Sequence, residues 1–306
     1  MSNNEKTTSL SIIIPTLNRP QDLKRALKSL GNFWVDGYEV IVVDQSDTYN
    51  HTTAQKNHPQ VKFIRQKRKN LPLARNNGIK QSGGEIILFI DDDCEIKGNC
   101  IKQHLQAHRD LSCGVVAGRV RQKGTASWAA TDVVSTIDPL TGETTGNFDL
   151  DYHGEVEYAT GANFSVKRGV LYRSGLFNER FTGNALFEDV DFSLRVRKAG
   201  FKIIYDPKAL VHHHGRSYGG CHESREYRYY LSRLHNHLLF YLLHFGKIPQ
   251  KVFIIYLKNL IEYLSRKANS KHSFKLLALS GMQILKAYID FLASCMKMPL
   301  YLKKQV

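Results

Sequence analysis

From Ser9 to about Ala117, short apolar runs alternate with amphipathic stretches, and the apolar runs end at polar or turn-forming residues. Ser9–Ile14, Glu39–Val43, Val61–Ile64, Glu85–Ile90 and Gly114–Ala117 are short, bounded and rich in β-branched residues, so they read as strands. Between them, stretches from Pro20, Leu73 and Ile101 read as helices. In the first, Leu23, Ala26, Leu27 and Leu30 recur at helical spacing and Gly31 ends the run. Strands that alternate with helices argue for an α/β fold with a mostly parallel, doubly wound sheet. Ligands of such sheets bind beyond the carboxyl ends of the strands. Thr16 and Asn18, Asp44, and Asp91-Asp92-Asp93 each follow a strand, so they are expected to converge on one crevice.

The triplet carries the strongest chemical signal. Three carboxylates after an apolar strand repel one another unless a cation holds them. Mg2+ and Mn2+ prefer oxygen ligands and share them with substrate phosphates. A solvated acidic turn is the bland alternative. Charge agrees with a phosphate-bearing partner: 43 Lys+Arg against 28 Asp+Glu give +15, which favours nucleic acid, nucleotide phosphates or an anionic membrane face. The five cysteines show no paired spacing and read as reduced thiols. Residues 1–8 form a polar tail without a leader-like apolar core. No stretch reaches about 18 apolar residues. A cytoplasmic protein is expected, with a peripheral place at the inner face of the cell membrane as an option.

Residues 121–155, rich in Thr, Gly and Asp, read as a long functional loop. Beyond it come a strand at Phe164–Val166, a helix over Phe187–Lys198, and two strands, Phe201–Tyr205 and Ala209–His213, broken at Asp206-Pro207. From residue 218 to 306 a helical extension carries aromatic and basic residues. Lys251, Lys258 and Arg266 fall near one helix face beside Val252, Ile255, Leu260 and Leu264, and Phe274–Met296 is more apolar still. Two readings stay open for these helices: an anionic membrane surface, or packing against the rest of the chain or a second copy in a homodimer.

Five segments in order carry a family resemblance: Ser11 to Arg19, Val40 to Ser46, Ala74 to Ile79, Phe89 to Asp93, and Phe187 to Asp191. Together, over residues 9–217, they resemble family 2 inverting glycosyltransferases of the GT-A fold. The resemblance implies metal-dependent transfer of a sugar from a nucleoside diphosphate donor, uridine-based, to a hydroxyl of a glycan or lipid-linked glycan, with Mn2+ or Mg2+ as cofactor. It implies donor contacts from Thr16, Asn18, Arg19, Asp44, Arg75, Asp91, Asp92, Gly161 and Asn163. Asp44 would accept from a pyrimidine N–H, with Thr16 adding its backbone; an Asx-turn cap is the alternative, and Gln45 departs from the usual neighbour. Arg75 would meet donor phosphates or lie solvated at the surface. Asp91 and Asp93 would hold the metal while Asp92 turns away. A histidine after the last strand would complete the shell, with His212 and His214 on the facing side. Asp189 would be the general base and Glu188 would orient donor or acceptor; acids that complement a helix dipole are the alternative.

Other features stay secondary. Trp128 either stacks on a sugar ring or pins its loop. A zinc site joining the histidines to Cys221 and His222 lacks standard spacing. His235-Asn236-His237 reads as structural. A sugar nucleotidyltransferase is the rival enzyme, yet Pro15 to Pro20 replaces the Gly-rich basic loop it needs. A non-catalytic basic protein that binds membrane or nucleic acid is the rival of another class. RNA-binding aromatic signatures are missing, so no nucleic-acid partner is expected.

Overall fold

The computed structural model describes residues 9–31, 37–48, 56–123, 130–221, 226–246, 254, 258 and 270–297. The first half builds a parallel sheet: β1 (Leu10–Thr16), β2 (Tyr38–Asp44), β3 (Val61–Arg65) and β4 (Ile86–Ile90) lie in the order β3-β2-β1-β4. Their central residues are buried on both faces, which is why Ile12–Ile14 and Val40–Val43 read as unbroken apolar runs. Helices α1 (Pro20–Leu30) and α2 (Leu71–Lys80) provide the crossovers. Asn70 starts α2 by accepting the Leu73 N–H at 2.8 Å, a cap that contributes about 1 kcal/mol. Gly78 lets α2 close on β1, because a Cβ there would lie 2.5 Å from the Ile13 side chain.

The second half extends the sheet with mixed polarity. β5 (Cys94–Ile96) and α3 (Cys100–Ala107) lead to β6 (Cys113–Gln122). β7 (Ser135–Ile137) pairs with β8 (Thr144–Gly146) as a separate hairpin. β9 (Gly154–Glu155), β10 (Asn163–Lys167), α4 (Arg168–Ser174), α5 (Glu188–Lys198) and β11 (Lys202–His213) follow. The complete nine-stranded order is β3-β2-β1-β4-β10-β6-β11-β5, with β9 beside β11. β10 runs against β4 and β6, while β11 is parallel to β6.

Several expectations change here. The two strands expected at 201–213 are one strand, β11, because a register shift between Asp206 and Leu210 absorbs the Asp-Pro break inside the ladder. The 121–155 stretch is not one long loop. β6 continues to Gln122, and the β7–β8 hairpin and Phe148, 1 % exposed, are tied into the core. Trp128 and His222 lie outside the described residues. The helical extension begins as part of the same core: in α6 (Glu226–Phe245), Leu234, Leu238, Leu239 and Phe240 are buried in the cluster that contains the sheet. α7 (Ser270–Lys297) lies against α6 where its Asp290 Oδ2 and Lys286 Nζ meet His235 Nε2 at 2.8 and 2.9 Å. Lys258 is exposed, and Lys251 and Arg266 lie outside the described residues. Among the described residues, no helix is long and apolar enough to cross a membrane.

Candidate active site

Parallel registration brings the strand tips together. Thr16 pairs with Asp44 across β1 and β2, and the acidic triplet follows β4 on the other side of β1. Two cavities meet at Thr16. One, of about 870 Å³, is lined by Asn18, Leu23, Asp44, Ser46, His58 and Phe63 among others. The second, of about 640 Å³, is lined by Arg19, Asp91, Asp92, Asp93, His213 and Cys221 among others.

At the first cavity, Asp44 Oδ1 accepts the Ser46 N–H at 2.7 Å, so the Asx turn is formed. The same carboxylate still lines the cavity. Asn18 has a left-handed backbone, φ 57°, and exchanges hydrogen bonds with Asp47 at 2.9 and 3.0 Å. It braces the cavity wall rather than extending into free space. Thr16 uses its hydroxyl on Asp92 at 2.7 Å and its carbonyl on Gln45 N–H at 2.9 Å.

The triplet is divided between neighbours. Asp92 faces β1, where it accepts from Thr16 and, at 3.0 Å, from Arg19 Nη1. Burial pushes its carboxyl up to about 7 against the pull of Arg19. Asp93 faces β11. It accepts the Arg216 N–H at 3.2 Å and lies 3.3 Å from Arg19 and 3.1 Å from His213 Nε2. Burial would raise it, but His213 and Arg19 outweigh burial and hold it at about 2. Asp91 opens into the cavity; burial raises its carboxyl against the field of Arg75.

The residues fit a divalent cation. Asp93 Oδ1 is buried without a hydrogen bond, directly across from His213 Nε2. His213 Nδ1 lies 2.9 Å from Gln122 Oε1, and Asp93 and Asp91 raise the imidazole against burial, so Nε2 turns a proton to Asp93 that a bound cation would displace. Cys94 completes a cluster whose ligand atoms lie within 4.8 Å of one another, but burial raises its thiol, and hard cations prefer oxygen. His212 and His214, the histidines expected from the sequence, are on the other face. His214 bonds Glu95 at 2.7 Å. His212 sits near Lys123, Lys97 and Arg121, where a cation would be repelled. The alternation Ala209, Val211, His213 along the inward side of β11 is the sequence signal that would have selected His213 instead.

The second acidic pair lies beside the first. The Asp91 N–H donates to the Ala162 carbonyl at 3.3 Å. The adjacent Gly161 N–H donates to Asp189 Oδ2 at 2.8 Å, and Asp189 Oδ1 accepts the Val190 N–H at 2.9 Å. Burial raises the Asp189 carboxyl against Arg75 and these N–H groups. Phe187, just before α5, has φ 70°, a conformation that costs a non-glycine residue about 1–3 kcal/mol. Its ring stacks on His237 of α6 at 4.7 Å and on Phe240 at 5.4 Å. His244 of α6 also bonds Asp191 at 2.9 Å. Helix α6 therefore braces the start of α5, and the His235-Asn236-His237 run is buried within that brace.

Two expected donor contacts, Arg75 and Asn163, and Glu188, expected to orient donor or acceptor, are elsewhere. Arg75 is 1 % exposed and pairs with Glu188 inside the core, which withdraws both from the cavities. Asn163 is fully buried in β10, where His104, Arg119 and Ala209 occupy its amide. Its role is to tie β10 to β6 and β11.

The sequence signature of glycosyl transferase family 2 matches residues 11–175, more than half of the chain, which belongs to that family. A GalNAc(5)-diNAcBac-PP-undecaprenol beta-1,3-glucosyltransferase of Campylobacter jejuni is 29% identical over 189 residues, 57% of this chain and 56% of its own length. The chain thus spans only about half the length of that relative. Among solved structures, GalNAc-T7 with UDP, GalNAc and Mn2+ superposes with a TM-score of 0.61 at 15% identity, covering 78% of this chain and 48% of that one. S. aureus TarS 1–349 in complex with UDP-GlcNAc gives 0.59 at 18% identity, covering 91% and 81%. These structures share the fold, and the GT-A expectation for the sheet is met.

Proposed function

We propose that the chain is an inverting glycosyltransferase that moves a sugar from a uridine diphosphate donor to a hydroxyl of a glycan or lipid-linked glycan. The observation that carries this reading is the pair Asp93 Oδ1 and His213 Nε2, 3.1 Å apart on the wall of the second cavity, which shares Thr16 with the cavity that reaches Asp44. Family membership favours sugar transfer over the nucleotidyltransferase and non-catalytic readings. The lipid-linked substrate in the name of the Campylobacter relative, and the uridine nucleotides in two structural neighbours, support the acceptor and donor classes.

In this mechanism Asp44 and the Thr16 backbone receive the base in the first cavity, and the diphosphate extends over the triplet. Mn2+ or Mg2+ held by Asp91, Asp93 and His213 would neutralise charge on the departing diphosphate. Asp189 takes the proton from the acceptor hydroxyl as that oxygen attacks C1 of the sugar. The C1–O bond to phosphate breaks, its electron pair leaves with the nucleoside diphosphate, and the anomeric centre inverts. The two N–H bonds to Asp189 fix its direction.

Incubation with a panel of nucleotide sugars and Mn2+ tests this reading. Release of nucleoside diphosphate from a uridine donor, abolished by chelator, is expected; full activity with chelator would exclude the metal role. Attachment to an anionic membrane through the basic C-terminal helices belongs to the same proposal. It predicts vesicle binding that weakens as salt screens about 1 kcal/mol per basic residue. Equal binding to neutral vesicles would exclude it.

A further inference from the structure

Arg75 projects from α2 into the core rather than into the crevice. Its guanidinium lies 5.9, 5.7 and 5.3 Å from the ring centroids of Phe89, Phe164 and Phe177. Nη1 pairs with Glu188, and Nη2 donates to the Gly161 carbonyl at 3.1 Å. The N–H of the same Gly161 holds Asp189 Oδ2. One buried side chain therefore grips both the residue before Asp189 in the chain and the residue whose amide holds Asp189 in space. Gly161 permits the grip, because a Cβ there would stand 2.5 Å from Arg75 Nη2.

As a source of stability the pair is poorly built. Arg75 Nε and Glu188 Oε2 are buried without hydrogen bonds. Buried ion pairs can often be replaced by apolar residues at no loss. An apolar replacement could fill the space between the three rings, but it could not hold two points of the backbone at once.

We propose that Arg75 is the positioning residue for the general base, fixing Glu188 and Gly161 so that Asp189 is aimed at the acceptor. This rests on the reading of Asp189 as that base. The groups around Asp189 are Arg75 from α2, Glu188 on its own helix, Tyr158, whose hydroxyl feels the Asp189 charge, and Asp91, which shares the field of Arg75. Among the charged groups, Arg75 is the one that opposes the burial of Asp189 most strongly.

Two variants test the role. Arg75→Lys keeps the charge and loses the two-armed grip. Arg75→Met combined with Glu188→Gln removes both charges and leaves no buried ion unpaired, so folding is protected. Each is compared with the parent protein in kcat, donor KM and a 13C NMR titration of the Asp189 carboxyl. Arg75→Lys should lower kcat about tenfold or more, as misaimed catalytic groups do, with donor KM within about twofold. Set against Glu188→Gln alone, which already removes the neighbouring negative charge, the double variant should raise the Asp189 titration by about one pH unit, as loss of a nearby opposite charge does, and carry the acid limb of kcat with it. A large rise in donor KM with kcat unchanged would return Arg75 to the donor phosphates and overturn the proposal. An Asp189 titration that is the same in Glu188→Gln and in the double variant would overturn it too. If Asp189→Asn retains full turnover, the base assignment fails instead, and the titration still decides whether Arg75 governs Asp189.

Discussion

Asp93 and Asp189 stand at the same end of the sheet and are held by different kinds of group. Asp93 is surrounded by charged side chains, Arg19 at 3.3 Å and His213 at 3.1 Å, and one of its oxygens has no hydrogen bond. Asp189 is held by backbone N–H groups of Gly161 and Val190, with a sealed ion pair behind them. Side chains can turn away when a cation arrives, whereas backbone donors in a packed loop cannot. The first arrangement suits a site that exchanges a ligand, and the second suits a group that must keep one direction.

The largest expected effect probes the rigid side. Asp189→Asn preserves shape and removes the proton acceptor. Turnover should fall by about a hundredfold or more, while donor binding measured by calorimetry stays close to that of the parent protein. Lost donor binding with preserved turnover would place Asp189 in the donor site and dissolve the contrast with Asp93.

Much of this contrast was legible in the sequence, because it begins where strands end. Thr16, Asp44 and Asp91 follow apolar runs that could only be buried strands, and the parallel pairing carries them to one edge. Orientation was less legible. Asn163 looks like a loop residue beside the site, yet β10 begins at it and turns its amide toward β6 and β11. Arg75 looks like a phosphate ligand, but the three rings around it come from β4, β10 and the segment before α5. That environment depends on long-range packing, which no local pattern reports. The brace of α6 on Phe187 was hidden for the same reason.

A stability measurement sharpens the rigid side further. Asp191 bonds Arg195 at 2.8 Å and His244 at 2.9 Å, linking α5 to α6. Burial would raise its carboxyl, but Arg195 and His244 outweigh burial and hold it at about 2, below the ordinary 3.8. Because the folded value is the lower one, its contribution is complete above pH about 4 and is lost as pH falls toward 2. That contribution is about 2 kcal/mol. Asp191→Asn should therefore be less stable at neutral pH in urea unfolding, and the gap should narrow as pH falls from about 5. A gap that does not change with pH would mean that Asp191 is not charged in the folded protein, and that α5 is braced by packing alone.

The smallest effect tests the exchangeable side. Arg19 is the residue closest to serving as a built-in cation for the triplet. Nη1 lies 3.0 Å from Asp92 Oδ1 and 3.3 Å from Asp93 Oδ2, while Nε donates to the Tyr218 carbonyl at 2.7 Å. A divalent ion at Asp93 would meet this charge, and like charges about 4 Å apart repel by about 1–4 kcal/mol between water and a protein surface. Arg19→Gln keeps a donor for Tyr218 and removes the charge. Without donor present, Mn2+ should then bind about tenfold tighter in calorimetry, and the melting temperature of the metal-free protein should fall because Asp92 and Asp93 lose the cation they share. Adding Mn2+ should restore it by mass action. Unchanged or weaker Mn2+ binding would show that Arg19 does not compete with the ion. Asp93 would then be as fixed as Asp189, and the difference between the two sites would lie in charge alone.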